Sequence, residues 1–365
     1  MEKKKICVGV VGAGMISDVY LDNMIHRFHN LRVKSICARH MERAKRKAGQ
    51  YGLQPCTLEE MLADPEIEMI VNLTPVGEHY AIIKAALMAG KHVYTEKTLT
   101  DQYEQAMELS KLADQRNLYL GSAPDTFLGA SLQTARKAID AGLIGEVTSC
   151  IAASNRDNHF LLSHYPFLLI PGAGVCYDYA VYYMTALVSL LGAVEETAAF
   201  VSTPFPTHRN INPDSPDYGK VMKTPNESRV SAILKFRSGV TGTFHMDQDS
   251  VWKDQADMVI YGTKGMLYLG NPDRFGDQVR LLSNPEDRQE EPCMQALPFA
   301  NDYIENARGI GPSEMAEAIL SGTSARVGKE LACHVLEVLS AILRSGERKT
   351  MEKIHSVCER PECYY

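Results

Sequence analysis

The sequence predicts an α/β protein, with a doubly wound parallel sheet at the N-terminus and then an α/β domain with an open, mostly antiparallel sheet. Three observations predict it. The apolar run Ile6 to Val11 breaks at Gly12-Ala13-Gly14 and resumes as an amphipathic segment through Tyr20, Leu21 and Met24, the pattern of strand, tight turn and helix. Short apolar strands then alternate with helical segments to about residue 123, as in strands joined by crossover helices. From Val147 onward longer alternating segments follow one another through tight turns, which reads as antiparallel pairing.

A chain of 365 residues with 45% apolar residues can bury two cores, here 1–123 and 124–365. The net charge is −7 and the short basic run Lys3-Lys4-Lys5 is read as a solvated terminus, which argues against nucleic-acid or anionic-membrane partners. No apolar stretch is long enough to span a bilayer, and the N-terminus enters a strand without an apolar leader, so a soluble cytoplasmic protein is expected. Nine cysteines are scattered without a C-x-x-C pair, and Cys7, Cys37 and Cys150 lie in apolar runs; they read as reduced packing residues, with no metal site expected. The pair Cys358 and Cys363 is read as coincidence.

Taken in order, Gly12 permits the first turn, and Gly14 lets backbone N–H groups and the positive helix end approach a pyrophosphate; Ser17 stands at the third small position of G-x-G-x-x-G. Gly12, Ala13, Gly14, Met15 and Ile16 are therefore candidate cofactor-binding residues. Leu31 to Ala38 is a second strand ending in Ala38-Arg39. A carboxylate there would hold the ribose of NAD, whereas a small residue followed by Arg leaves room and charge for the 2′-phosphate of NADP. The lean is to NADP(H), with NAD(H) open, since Arg39 could equally stack on adenine or sit in water. Met41 to Tyr51 is a basic helix, and Thr57 with Glu60 forms a capping box. Ile67 to Leu73 is a third strand delivering Thr74-Pro75, His79 to Ala89 a helix stopped by Gly90, and His92 to Tyr94 a fourth strand delivering Glu96-Lys97. Ligands of an open parallel sheet bind outside such carboxyl ends, so Thr74, Pro75, Glu96 and Lys97 share one rim. Asp101 with Glu104 is expected to cap the next helix, and Leu118 to Gly121 is a fifth strand.

In the second half a helix from Leu128 to Ala141 precedes strands at 147–154, 197–201, 231–236, 240–246, 258–261 and 266–269, with turns at Ser238-Gly239 and 262–265. The Pro-, Asn- and Asp-rich stretch 204–226 is a long loop of the kind that carries function or an interface. Residues 313–344 read as helical, packing back across the domains. Pro171-Gly172-Ala173-Gly174 introduces a helix that carries Asp178 and Tyr182 four residues apart on one face, and its glycines allow close approach at the helix start. Its tyrosines could all be packing residues, and Asp178 could merely suit a helix N-terminus. Polar residues Asn155, Arg156, His159, His164, Tyr165 and His245 near strand ends suit a hydroxyl-rich ligand, and Arg156 could receive a carboxylate.

Gly12-Ala13-Gly14, Thr74-Pro75 with His79, the run Ala89 to Lys97, Gly142 to Glu146, and Gly172 to Asp178 together closely resemble the glucose-fructose oxidoreductase, inositol dehydrogenase and MocA family, in order and over nearly the whole chain. The resemblance implies a Rossmann domain, a second domain whose open sheet mediates homo-oligomers, and His79 among the cofactor-binding residues. It also implies Lys97, from the family's Glu-Lys-Pro motif, and Asp178 at the nicotinamide and substrate. Two positions depart from the pattern. Thr98 replaces the Pro, and Tyr182 stands where many members carry a catalytic His; the dihydrodiol-type members, which also resemble this chain at Ala38-Arg39 and use NADP, are similar to it in carrying Tyr there. The stretch Ser122 to Gly129, containing Asp125, and His164-Tyr165-Pro166 are similar to a subgroup oxidising the C3 hydroxyl of glycosides. The expected activity is hydride transfer between a nicotinamide cofactor and a hydroxyl carbon of a sugar, glycoside or cyclitol, with Lys97, Asp178 and Tyr182 catalytic. Two other readings are a glycosidase acting by transient C3 oxidation and elimination, and a non-catalytic nicotinamide-binding sensor.

Overall fold

The computed structural model describes residues 4–170, 172–250, 258–283 and 293–365. Lys3 and Pro171 lie outside these residues. The chain divides into two compact units, Met1–Leu128 with Glu305–Cys333, and Gly129–Ile304 with His334–Tyr365.

The first unit is built on a parallel sheet. Strand β1 (Ile6–Val11) is buried at every position, as a central parallel strand covered on both faces must be. It leads through the glycine turn into helix α1 (Ile16–His26), which returns as β2 (Leu31–Cys37). Helix α2 (Met41–Tyr51) ends at Gly52 in the left-handed conformation, and a two-residue edge strand β3 (Gln54–Pro55), absent from the sequence reading, precedes α3 (Leu58–Ala63). The Thr57 hydroxyl accepts from the Glu60 N–H at 3.2 Å while the Glu60 carboxylate accepts from the Thr57 N–H at 2.8 Å, the expected capping box. Strand β4 (Met69–Asn72), helix α4 (His79–Met88), strand β5 (His92–Thr95), helix α5 (Tyr103–Gln115) and strand β6 (Leu120–Ser122) complete the alternation. Among the described residues the order is β3-β2-β1-β4-β5-β6, and all these pairs are parallel.

Asp101 does not cap α5. The N-cap is Gln102 without a side-chain bond, because Thr98 Oγ1 donates to the Thr100 carbonyl and Thr100 Oγ1 to the Gln102 carbonyl, so the chain enters the helix one residue late. Residues 305–333 complete this unit. Ser122 N–H donates to the Val327 carbonyl at 3.1 Å, and Asn23 donates to the carbonyls of Asn306 and Arg308.

In the second unit, α6 (Ala130–Asp140) precedes β7 (Val147–Asn155) and the short α7 (His159–His164). The Asp178 segment is a π-helical turn, Cys176–Ala180, that continues as α8 (Val181–Leu191), buried along its whole length. Strand β8 (Val194–Ser202) is followed by the expected long excursion, which contains a small hairpin of β9 (Thr207–Arg209) and β10 (Val221–Lys223). Next come β11 (Arg229–Phe236), β12 (Thr241–Asp247), β13 (Met258–Gly262), β14 (Gly265–Leu269), β15 (Arg280–Ser283) and β16 (Cys293–Ala296). The expected single helical stretch at 313–344 is two helices, α9 (Ile310–Ser321), which belongs to the first unit, and α10 (Lys329–Arg348), which joins the second from His334 on, because the chain turns at Gly322 with φ +69°. A short β17 (Glu352–Lys353) closes the edge, giving the order β16-β15-β14-β13-β7-β12-β11-β8-β17 among the described residues. Every pair is antiparallel except β7 with β12.

One face of this sheet is open. Phe200, 85% exposed, pairs with Ser231, and the row Ile233, Thr243 and Ile151 runs beside it. Phe236, Phe244 and Met246 fill the other face. All nine cysteines are free, and burial pushes the Cys37 and Cys150 thiols up to about 12, as suits packing residues. No described helix is long and apolar enough to cross a membrane.

Candidate active site

Each unit assembles its own group of polar residues. In the first, the carboxyl ends of β1, β2, β4 and β5 form a rim. Gly12 follows β1 with φ +112°, and a Cβ there would lie 2.8 Å from both the carbonyl carbon and oxygen of Leu73, so only glycine fits. Its N–H donates to the Cys37 carbonyl at 2.9 Å. At Gly14 an added Cβ meets nothing within 4 Å, so the turn leaves open space above its backbone. Ser17 is buried and its hydroxyl donates to the Gly14 carbonyl at 2.6 Å, tying the turn to α1. Ala13, Gly14, Met15 and Ile16 are partly or well exposed at the start of α1, where the Ser17 and Asp18 N–H groups donate back to the Gly14 and Met15 carbonyls, both at 3.2 Å. An open, glycine-cornered turn at a helix N-terminus fits a dinucleotide pyrophosphate.

After β2 comes Ala38, then Arg39, whose guanidinium pairs with the Glu78 carboxylate. Glu78 belongs to the 3₁₀ turn Val76–Glu78 after β4, so this exposed pair joins the β2 and β4 ends of the rim, with β1 between them in the sheet order. Thr74 donates through its hydroxyl to Asn72 Oδ1 at 2.8 Å, Asn72 Nδ2 donates to Thr95 Oγ1 at 3.0 Å, and Pro75 opens the turn. Tyr20 donates to Glu96 Oε1 at 2.7 Å, and the Lys97 N–H donates to Glu96 Oε2 at 3.1 Å. Lys97 is half-buried directly after this carboxylate, and its peptide bond to Thr98 is cis. His79 is wholly buried, with Nδ1 2.7 Å from the Thr98 carbonyl and Nε2 2.8 Å from the Thr74 carbonyl.

Asp125 is also buried in this unit. Its Oδ2 accepts the N–H groups of Gly309 and Gly311 at 3.0 and 3.1 Å, at the start of α9. Burial pushes its carboxyl up to about 6, against the opposing pull of Arg308 and the two amides. The residue expected to meet substrate is here an anchor for a returning segment of chain.

In the second unit, the start of the Asp178 helix is shaped by a residue that sequence reasoning did not single out. The Glu227 carboxylate accepts the Cys176 N–H at 3.0 Å and its carbonyl accepts the Val175 N–H at 3.0 Å. A Cβ at Gly174 would overlap Glu227 Oε1, so any side chain there displaces that carboxylate. Burial raises the Glu227 carboxyl and, strongly, the Cys176 thiol. The close approach expected from the glycines is therefore made by Glu227, at the end of the long excursion; no local pattern announces it. Asn226 reinforces it, accepting the Gly172 N–H and donating to the carbonyls of Leu168 and Ile170.

Arg156 comes next to Asp178. Its Nη2 is 3.8 Å from Asp178 Oδ2, its guanidinium carbon lies 3.5 Å from the Tyr179 ring centroid, and its buried Nε has no acceptor among the described residues. Tyr182 is buried, with its ring 6.2 Å from that of Tyr179. An Arg donor and a carboxylate acceptor at this spacing match a hydroxyl group, which both accepts and donates.

The other candidates fall into separate groups. Asn155 and His245 are joined at 3.1 Å, and His245 to Ser231 at 2.8 Å, all on the open face that carries Ile151 and Ile233. His159 meets His208 at 2.7 Å and Asp157 at 3.3 Å. Burial lowers His208, with the His159 charge adding to it. His164 stacks on Phe160 at 4.0 Å and reaches the Phe160 carbonyl, and Tyr165 follows it at the end of α7. Thus the fold brings Arg156 to Asp178 and leaves His245 and Asn155 on a different face.

Comparison with known proteins bears on this geometry. Residues 6–123 match the family described as an oxidoreductase family with an NAD-binding Rossmann fold, and residues 132–268 match the C-terminal domain of the same Gfo/Idh/MocA group. An uncharacterized oxidoreductase of Schizosaccharomyces pombe is 33% identical over 311 residues, covering 80% of this chain and 82% of that protein. The scyllo-inositol 2-dehydrogenase (NADP(+)) of Bacillus subtilis is 23% identical over 362 residues, 94% of each chain. Among solved structures, levoglucosan dehydrogenase in complex with NADH superposes with a TM-score of 0.83 at 19% identity, covering 97% of this chain and 100% of that one, a likeness of fold.

Proposed function

The chain belongs to the Gfo/Idh/MocA family of NAD-binding Rossmann oxidoreductases, and from that premise we propose that it exchanges a hydride between a nicotinamide cofactor and a hydroxyl-bearing carbon of a sugar, glycoside or cyclitol. The observation that carries the reading is Lys97. It follows β5 on the same rim as the Gly12 turn, where an open parallel sheet receives its ligands. The relative named for scyllo-inositol supports the substrate class, as does the Arg156–Asp178 pair, matched to a neutral hydroxyl.

When bound, the nicotinamide supplies the hydride acceptor or donor. Gly12, Ala13, Gly14, Met15 and Ile16 would hold its pyrophosphate, with Thr74, Pro75 and Glu96 along the rim. The amine of Lys97 takes the hydroxyl proton as the C–H bond breaks, or returns it in reduction, a contribution of about 10² to 10⁴ in rate. Asp178 accepts a substrate hydroxyl, Arg156 donates to one, and the Tyr182 hydroxyl donates to the reacting oxygen. Arg39 favours NADP(H), since its present partner is a single exposed carboxylate, a weak pair in water, whereas a 2′-phosphate offers the same guanidinium more charge and a bidentate partner. The exposed Phe200, Ile233 and Ile151 support a homo-oligomer formed over the open sheet face, and nine free thiols suit the reducing cytoplasm.

The test is Lys97→Met, assayed by nicotinamide absorbance over a panel of glucosides, inositols and sugar acids. Turnover is expected to fall at least about 10²-fold with cofactor affinity retained. Oxidation near the wild-type rate overturns the assignment, and release of aglycone without net absorbance change moves it to the elimination chemistry.

A further inference from the structure

His79 lies in the first turn of α4 with no solvent contact, and each ring nitrogen sits at hydrogen-bond distance from a main-chain carbonyl, Thr98 on one side and Thr74 on the other. Carbonyl oxygens only accept. A neutral imidazole has a single N–H, so it satisfies one of these carbonyls and turns its remaining lone pair toward the oxygen of the other. A ring with both nitrogens protonated satisfies both. Burial is the largest influence and draws the ring below its ordinary value, toward neutrality; the two carbonyls and the nearby Glu96 carboxylate oppose it, and the case for the second proton is geometric, an acceptor at each ring nitrogen. Glu96 takes hydrogen bonds from Tyr20 and from the Lys97 N–H.

The two carbonyls are not equivalent pieces of loop. Thr74 ends the segment after β4, where its hydroxyl is already tied to Asn72, and Thr98 is the residue after Lys97. We propose that His79 is a buried imidazolium whose two N–H groups tie the segments after β4 and β5 together, and that it is thereby the positioning residue for Lys97. It is not a ligand of the cofactor itself. The consequence for Lys97 rests on the reading of that residue as the proton-exchanging group; the charge on His79 does not.

The experiment is nitrogen-15 NMR of the histidine-labelled full chain near neutral pH, without cofactor. Both ring nitrogens of His79 are expected to show the protonated imidazolium pattern, unchanged from about pH 6 to 8, whereas an unperturbed His loses its proton across that range. The signal is assigned by its loss in His79→Asn or, should that variant not fold, by replacing the other histidines one at a time. A neutral-tautomer pattern for His79 overturns the charged clamp. In His79→Gln, which keeps a donor but no charge, kcat is expected to fall about tenfold or more with the cofactor Kd within about twofold. A folded His79→Gln with unchanged kcat overturns the positioning role. If Lys97→Met remains active, the reading of Lys97 fails while the NMR result on His79 stands by itself.

Discussion

Asp125 offers a prediction whose size and sign both follow from its surroundings. Its carboxyl is buried and pushed up to about 6, from 3.8 for the ordinary group. The folded chain therefore holds this proton more tightly than the unfolded one. Below about pH 3 both states are protonated and the group costs nothing. Between about 4 and 6 the unfolded chain loses its proton first, and above 6 the folded chain carries a buried carboxylate at a cost of about 3 kcal/mol. Stability from this group accordingly falls as pH rises through that window. Asn at this position keeps an oxygen for the Gly309 and Gly311 amides while removing the titration. Unfolding by urea, followed by circular dichroism at about pH 3 and pH 7, should show Asp125→Asn gaining about 3 kcal/mol on the parent chain between the two. If the two chains change in parallel, the account of Asp125 as a buried, late-ionising anchor is wrong.

Three further outcomes are expected. Gly12→Ala forces a side chain into the Leu73 carbonyl at positive φ and should cost about 1–3 kcal/mol of stability, read as a lowered melting temperature, along with weakened NADPH binding in a fluorescence titration. Arg39→Ala should lower the NADP-over-NAD preference in Kd about tenfold or more while leaving NAD binding within about twofold; an unchanged ratio removes Arg39 from cofactor selection. Ile233→Asp on the open sheet face should shift the species seen by light scattering toward monomer, at concentrations where the parent chain remains assembled.

Features made by neighbours in sequence were legible beforehand, and those made by distant chain were not. The Gly14–Ser17 turn and the Thr57 box close within three residues, so residue type and spacing carry them. Asp101 and Glu104 have the same spacing, yet Thr98 and Thr100 hydroxyls divert the entry to α5, a competition that spacing alone does not reveal. Asp178 is reached through a π-helical turn whose first N–H groups are met by Glu227, 51 residues further along, and Asp125 is held by amides more than 180 residues away. The parallel pairing of β7 with β12 is likewise invisible to alternation, since both strand orientations share the same period of two. Arg156 was singled out as polar and placed near a strand end, but its position over the Tyr179 ring depends on where a separate helix begins.

Completion of the N-terminal sheet by residues 305–333 has a consequence for synthesis. Strand β6 is joined to Val327 and Asp125 to Gly309 and Gly311, so the first half of the chain leaves the ribosome with backbone partners still untranslated. Domains that are contiguous in sequence fold as they emerge. This one must wait until residue 333 has been made, holding a partly finished nucleotide-binding lobe while most of the second lobe is synthesised.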